Sequence, residues 1–456
     1  MDHDSTIFAL STPRGRGGVA VIRMSGMKTQ QAIELITKKP APAARLASVR
    51  GVYNPASGDL VDEALVLFFS GPNSYTGEDV AELHLHGGLA VIDEVLEVLG
   101  EQAGLTPAGP GDFTRRAVIN GRLDLTRAEA VADLIDAETR AQKNQALRQM
   151  RGALGTLYQG WRRRLSQALA HLEADIEFAD EDLPGGIGQA VLADVAALTT
   201  EIEEHLAERR GRSLREGVEI ALIGAPNVGK SSLLNVMAGR EAAIVSARAG
   251  TTRDVIEVSL EIAGVPVVMA DTAGLREAGD EIEREGVRRA KKRASEADLK
   301  LFVLAADQDT DTIEDSGIDV AGDDFVIVNK TDLADPAMRN RDVEEFAPNV
   351  PATAIWPVSA KTGAGMEAFL DALEQTVARL FGLTDHPALT RKRHKLALEA
   401  ALVGLHRALS VAGDEAGLEL VAEDMRLAMR EIGRITGEVD VEALLDIVFS
   451  DFCIGK

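Results

Sequence analysis

The stretch Gly224-Ala225-Pro226-Asn227-Val228-Gly229-Lys230-Ser231 decides the fold. It stands between an apolar run, 219–223, and a helix-spaced run, 232–237. A Gly-x-x-x-x-Gly-Lys-Ser spacing in that setting predicts a strand, a phosphate-binding loop and a helix. The glycines let backbone amides turn inward on an anion, and the helix N-terminus adds its dipole. Lys230 is placed to reach the β- and γ-phosphates and to act in catalysis, and the Ser231 hydroxyl to ligate Mg²⁺. Asn227, Val228, Gly229 and Ser232 complete the cradle.

Outward from this loop, residues 215–380 alternate strand-like and helical runs, with strands expected at 258–262, 267–270, 299–305, 325–329 and 355–358. That rhythm predicts a parallel sheet with flanking helices, an α/β unit. Short boxes stand at the strand ends. Thr251-Thr252-Arg253-Asp254 lies in a glycine-punctuated loop, where Thr252 can contact Mg²⁺ and sense the γ-phosphate. Asp271-Thr272-Ala273-Gly274 closes an apolar run; Asp271 can hold Mg²⁺ through water, and the Gly274 amide can face the γ-phosphate. In Asn329-Lys330-Thr331-Asp332, the Asp332 carboxylate can accept the guanine N1–H and 2-amino hydrogen bonds, a pair adenine does not offer. Ser359-Ala360-Lys361 can present a backbone amide to the guanine O6. These boxes in this order predict a GTP hydrolase unit. Many Ras-like GTPases follow the Asp-Thr-Ala-Gly box with a glutamine that orients the attacking water. Here Leu275 stands there. An arginine, a carboxylate further along or a metal ion must take that part. Arg248, Arg253 and Arg276 are near in sequence, and each also reads as a solvated surface charge.

The flanks differ from this unit and from each other. Residues 1–120 alternate short apolar runs (7–10, 19–23, 64–69, 80–86) with glycine-rich turns, and 91–99 has helical spacing, so a small α+β domain is expected. From 121 to 214 the apolar residues step by three or four. Leu147, Met150, Leu154, Leu157, Trp161, Leu165, Leu169, Leu172 and Ile176 predict one long helix, or two with a bend at Gly152 or Gly155. Helix returns over 381–456. The simplest organisation is one helical, all-α domain made of 121–214 and 381–456, interrupted by the α/β unit of 215–380.

The chain of 456 residues carries 49 basic and 73 acidic side chains, a net of −24. That excess excludes a generally basic nucleic-acid binder, so an RNA partner must meet a local patch or a second protein. A single cysteine, Cys453, excludes a disulfide framework and a thiolate zinc site within one chain. The first residues lack the basic start and apolar run of a signal peptide, and no run reaches the ~18 apolar residues of a membrane helix. A cytoplasmic protein without membrane contact is expected. His84 and His86 alternate along an expected strand with no nearby Cys or carboxylate to complete a metal site, which favours a structural or pocket-lining role.

Further motifs are Gly15-Arg16-Gly17-Gly18-Val19, Gly71-Pro72-Asn73-Ser74-Tyr75-Thr76-Gly77-Glu78-Asp79, His86-Gly87-Gly88, Asn120-Gly121-Arg122-Leu123-Asp124-Leu125, Gly250-Thr251-Thr252-Arg253-Asp254 and the terminal Phe452-Cys453-Ile454-Gly455-Lys456. With these, the whole chain resembles the bacterial tRNA-modifying GTPases of the MnmE or TrmE family. The resemblance implies a folate-binding and dimerising N-terminal domain, a helical domain and an inserted GTPase domain. It implies a homodimer that forms a heterotetramer with an FAD- and NADH-dependent partner protein. Together they would install an aminomethyl-type group on carbon 5 of the tRNA wobble uridine, with 5,10-methylene-tetrahydrofolate as one-carbon donor. It also implies hydrolysis activated by K⁺, alongside GTP and Mg²⁺. Asn227 matches the potassium-binding asparagine. Ser246, Ala247, Arg248, Ala249, Gly250, Thr251 and Thr252 match the loop that wraps the ion and nucleotide, with oxygens of Ser246, Arg248 and Thr251 as ligands. Glu283 matches a catalytic carboxylate that orients water indirectly. Arg23, Glu82, Arg122 and Lys456 match folate contacts, Arg122 standing where relatives often have lysine, which keeps the charge but not its geometry. Cys453 gains a chemical role from its place in the terminal motif.

Two other readings compete. One is a GTP-driven dimerising scaffold with no chemistry in its N-terminal domain, which folate binding to that domain would separate from the first. The other is a membrane-remodelling GTPase, against which the lack of basic amphipathic segments argues.

Overall fold

The structure, a computed structural model, describes residues 5–177, 187–207, 213, 215, 217–240, 242–243, 257–271, 292, 294–307, 322–333, 355–381, 389, 391–411, 418–439, 445–446, 448–449 and 452–455. The chain divides into two units: Met1–Ala132 with Gln149–Leu198 and Ala397–Lys456, and Asp133–Arg148 with Thr199–Leu396.

The first unit begins with β1 (Thr6–Leu10), β2 (Gly17–Ser25), α1 (Thr29–Thr37), β3 (Ser48–Tyr53), β4 (Leu60–Phe69), β5 (Val80–Gly87), α2 (Leu89–Gly100), β6 (Leu105–Pro107) and α3 (Asp112–Ile119). Its strands form one sheet in the order β3-β4-β5-β2-β1-β6, antiparallel except for β1 beside β6. The period of two explains its faces. Ile22, Met24, Leu83 and Leu85 point one way and are closed over by Ile33 and Ile36 of α1 and Val95, Val98 and Leu99 of α2. Each such side chain contributes about 1.5–3 kcal/mol on burial. Arg23, Glu82, His84 and His86 alternate with them, on the other face. There α3 brings Phe113 against Ile7 and Ala9. The sequence reading did not expect α1, β3, β6 or α3. Gly51 in β3 and the polar Asp-Phe-Thr-Arg-Arg start of α3 blur both periodicities.

Helices follow: α4 (Leu125–Ile135), α5 (Arg140–Met150), α6 (Ala153–Glu177) and α7 (Ile187–Ala207). Of the two expected arrangements, the broken one is found. Gly152 has φ +93°, a left-handed turn between α5 and α6.

The second unit carries β7 (Val218–Ile223), α8 (Lys230–Arg240), β8 (Ala242–Ala243), β9 (Glu257–Ile262), β10 (Val265–Asp271), β11 (Leu299–Ala305), β12 (Phe325–Asn329), β13 (Ile355–Pro357) and α9 (Met366–Phe381). Its sheet runs β13-β12-β11-β7-β10-β9-β8. The pairs from β13 to β10 are parallel, as expected. Antiparallel β9 and β8 extend that sheet. Ala263 and Gly264 turn between β9 and β10 with φ +53° and +77°, a two-residue hairpin that reverses the chain. Leu222, Val303 and Ile327 are buried on one face and Ile223, Phe302 and Val328 on the other. Burial on both faces makes these strands continuous apolar runs, the signal read in the sequence.

The remaining helices are α10 (Lys392–Val411) and α11 (Leu418–Thr436). In the first unit, α11 packs along α6. The stripe Val421, Met425, Ala428, Ile432 and Ile435 is buried, as are Leu165, Leu169 and Leu172. No described helix is long and apolar enough to cross a membrane.

Candidate functional site

The loop after β7 is built by close backbone approach. A Cβ on Gly224 would lie 2.3 Å from the Val303 carbonyl oxygen, and one on Gly229 would lie 2.2 Å from Asn329 Nδ2. Asn227 and Gly229 have φ of +66° and +100°. The loop therefore curls at the carboxyl end of β7 and passes into α8. Lys230 is 7% exposed, and its Nζ donates to the carbonyls of Gly224 at 2.8 Å and Ala225 at 2.9 Å. The ammonium thus lies across the loop that amides and helix dipole make attractive to phosphate. Val228 is buried, while Asn227, Ser231 and Ser232 are exposed at the helix start.

Asn329 joins the loop to the segment 359–361. Its Nδ2 donates to the Val228 carbonyl at 2.9 Å, and its Oδ1 accepts the Ala360 N–H at 3.0 Å. Asp332 Oδ1 accepts from Ser359 Oγ at 2.7 Å, and Ser359 Oγ accepts the Thr362 N–H. One carboxylate oxygen is thereby pinned, which aims the group. Lys330, at φ +62°, pairs with Asp307 at 3.2 Å, and Lys361 is exposed. Asp271 ends β10 opposite Leu222 of β7, so its backbone stands beside the loop. Ser246, Ala247, Arg248, Ala249, Gly250, Thr251, Thr252, Thr272, Ala273, Gly274, Leu275, Glu283 and Lys456 lie outside the described residues.

A second cluster occupies the first unit. Arg23 Nε and Nη2 both donate to Glu82 Oε1, at 3.1 and 2.9 Å, and Glu82 Oε2 faces His84 Nε2 at 3.3 Å. The Arg23 guanidinium lies 5.7 Å from the ring centres of both Tyr75 and Phe113. Burial raises the Tyr75 phenol above its ordinary value, partly opposed by its Thr114 hydrogen bond and by Arg23. Distant residues complete the cluster. Gly455 O accepts Ser11 Oγ at 3.0 Å and Arg23 Nη1 at 3.5 Å. Ile454 bridges Pro110, and Cys453 O accepts the Gly111 N–H. Phe449 and Phe452 anchor this tail on Leu125 and Ala128. Cys453 itself is exposed. Arg122 is exposed beside Gly77, two residues past Tyr75.

The structure thus brings Arg23, Glu82 and the terminal motif together. Sequence reasoning missed Tyr75 and Phe113 as Arg23 neighbours. The Ser-Tyr-Thr-Gly turn was the available signal for Tyr75; Phe113 offered none. It also saw no carboxylate near His84 and His86, and that is corrected: Glu82 meets His84, and Asp62 meets His86 from β4. Among the described residues, no group of three or more such side chains could hold a metal ion.

A family model described as "GTP-binding protein TrmE N-terminus" matches residues 6–122, and one described as "MnmE helical domain" matches residues 125–453. The "tRNA modification GTPase MnmE" of Parvibaculum lavamentivorans is 51% identical over 99% of this chain and 100% of its own. Those of Paramagnetospirillum magneticum and Rhodospirillum rubrum, with the same name, are 50% and 51% identical over 99% of each chain.

Proposed function

The chain belongs to the MnmE family of tRNA modification GTPases, a GTP hydrolase that acts in tRNA modification, and on that premise we propose the finer chemistry. The protein is a potassium-activated GTPase. With a flavoprotein partner it adds an aminomethyl or carboxymethylaminomethyl group to carbon 5 of the wobble uridine, taking one carbon from 5,10-methylene-tetrahydrofolate. It works in the cytoplasm as a homodimer within a heterotetramer, and the partner holds FAD and uses NADH. Its domains are 1–120 for folate and dimerisation, 121–214 with 381–456 for the helical domain, and 215–380 for GTP.

The observation that carries this reading is the terminal segment seated on the Arg23–Glu82 pair, because it joins two distant motifs at one place. The pair offers a carboxylate and a guanidinium to a pterin edge. Lys456 follows Gly455 and would meet the donor's acidic tail, and Arg122 adds charge from the side of Gly77. The exposed Cys453 is the nearby thiol. In the second unit, Asp332 reads guanine and the 224–231 loop holds the phosphates. Mg²⁺ fits the donor set, since it binds through one or two protein oxygens plus phosphates and water; Ser231 and Thr252 supply them. K⁺ would sit at Asn227 with Ser246, Arg248 and Thr251, adding positive charge where other GTPases insert an arginine. Glu283 would orient water. The test is mass spectrometry of wobble uridines in a strain lacking the gene. Complementation by this chain should restore the C5-modified nucleoside; complementation without it would overturn the proposal.

A further inference from the structure

On β5, Glu82, His84 and His86 alternate with buried Ala81, Leu83 and Leu85, so one sheet face carries a polar row. Its first end is the Arg23 cluster. Its other end is built around Asp62. Asp62 Oδ2 accepts the His86 backbone N–H at 2.8 Å, and Oδ1 faces His86 Nδ1 at 2.7 Å. The paired ladder between β4 and β5 runs from Phe69 opposite Val80 to Leu65 opposite His84. Beyond it, the Asp62 carboxylate stands in for a strand partner: both its oxygens meet His86, and Oδ1 also accepts the Glu63 backbone N–H at 2.9 Å.

The burial of the two groups is opposite. The Asp62 side chain is 9% exposed and that of His86 74%. Withdrawing a carboxylate from water is costly unless its oxygens are hydrogen-bonded, and here His86 supplies two of the three bonds, the adjacent Glu63 N–H the third. An ionised carboxylate only accepts, so it holds a proton on Nδ1, and the neutral imidazole in that tautomer has its lone pair on Nε2. Among the described residues, no hydrogen-bond partner meets Nε2. A shielded carboxylate that sets the tautomer and steadies the imidazolium is the construction of a general base. His86 lies about 13 Å along the strand from Glu82, a span shorter than an extended folate.

We propose that His86 is the general base of the one-carbon step, with Asp62 as its positioning residue. This rests on the reading that the unit takes one carbon from a folate co-substrate. His86 Nε2 takes the proton of an attacking amine as the amine's lone pair forms the bond to carbon. The bond from that carbon to one of its two carrier nitrogens breaks, its electron pair stays on that nitrogen, His86 returns the proton there, and the carbon stays on the second carrier nitrogen for the following transfer. No oxidant or reductant is consumed.

Nuclear magnetic resonance of the full chain with ¹⁵N-labelled histidine tests the geometry without any turnover. Wild type should show His86 as the Nδ1–H tautomer, and Asp62→Asn should lose that signature. His86→Gln and His86→Asn, checked by melting curve, should bind tetrahydrofolate as wild type does. In cells lacking the gene, they should lower the modified wobble uridine about 100-fold. A wild-type Nε2–H tautomer, full modification by both variants, or loss of tetrahydrofolate binding in both would overturn the proposal. Wild-type protein that binds no tetrahydrofolate would instead overturn the folate reading on which it rests.

Discussion

At the residue scale, Asp332 is the side chain on which the proposed base specificity rests. Ser359 holds one of its oxygens at 2.7 Å, so the carboxylate enters binding already aimed. Hydrogen bonds to a charged group contribute about 1.5–3 kcal/mol each. Asp332→Asn should therefore weaken GTP binding by roughly 10- to 100-fold and improve xanthosine triphosphate, whose 2-oxo group accepts from the new amide. Nucleotide titration checks this, and an unchanged preference for GTP would refute the guanine assignment. Tyr75 makes a different residue-scale prediction. Burial raises its phenol above the ordinary value of 10.0, so the folded chain binds that proton more tightly than the unfolded chain. The associated stability is complete below pH 10 and is lost as pH climbs through the raised value. Tyr75→Phe should remove that part of the alkaline loss. Chemical denaturation at pH 9 and above reads the difference, and parallel curves for the two proteins would count against it.

At the scale of elements, the terminal segment is held by its backbone. Gly455 has φ +92°, and a Cβ there would stand 2.4 Å from the Leu10 carbonyl oxygen. Gly455→Ala must either move β1 or unseat the tail, at a cost of about 1–3 kcal/mol. We expect the tail to detach, seen as faster cleavage by carboxypeptidase, with GTP hydrolysis kept and modified wobble uridine lost. Deleting 453–456 should give the same division of activities. Full tRNA modification by the truncated chain would make the tail a mere chain end. Elements also mark where patterns misled. The run 147–176 keeps one apolar stripe through Gly152, so the stripe alone allowed one helix or two, and the φ of +93° at Gly152 decided it. The antiparallel β9 was legible from its Ala-Gly turn, but a strand–helix rhythm drew attention to parallel pairing instead.

At the scale of the molecule, Leu275 where many GTPases place a glutamine, together with Asn227 in the phosphate loop, points to an ion as the missing catalytic charge. Hydrolysis should be much faster in potassium than in sodium at equal ionic strength, and Asn227→Ala should abolish the difference. Equal wild-type rates in both salts would return the role to an arginine. The sequence alone determined the phosphate loop, the guanine boxes and the doubly buried strands. Each is a local pattern, because a strand covered on both faces must be continuously apolar and a phosphate loop must have glycine at set spacings. It also marked Arg23, Glu82 and the terminal motif, but only through likeness to a family. What tertiary structure decided is which distant groups meet. Asn329 ties the loop to Ala360 across β12, Gly455 reaches Arg23, and Asp62 turns an exposed histidine into an oriented one. No spacing encodes such pairs, because the partners lie on separate elements and meet only once the sheets have closed.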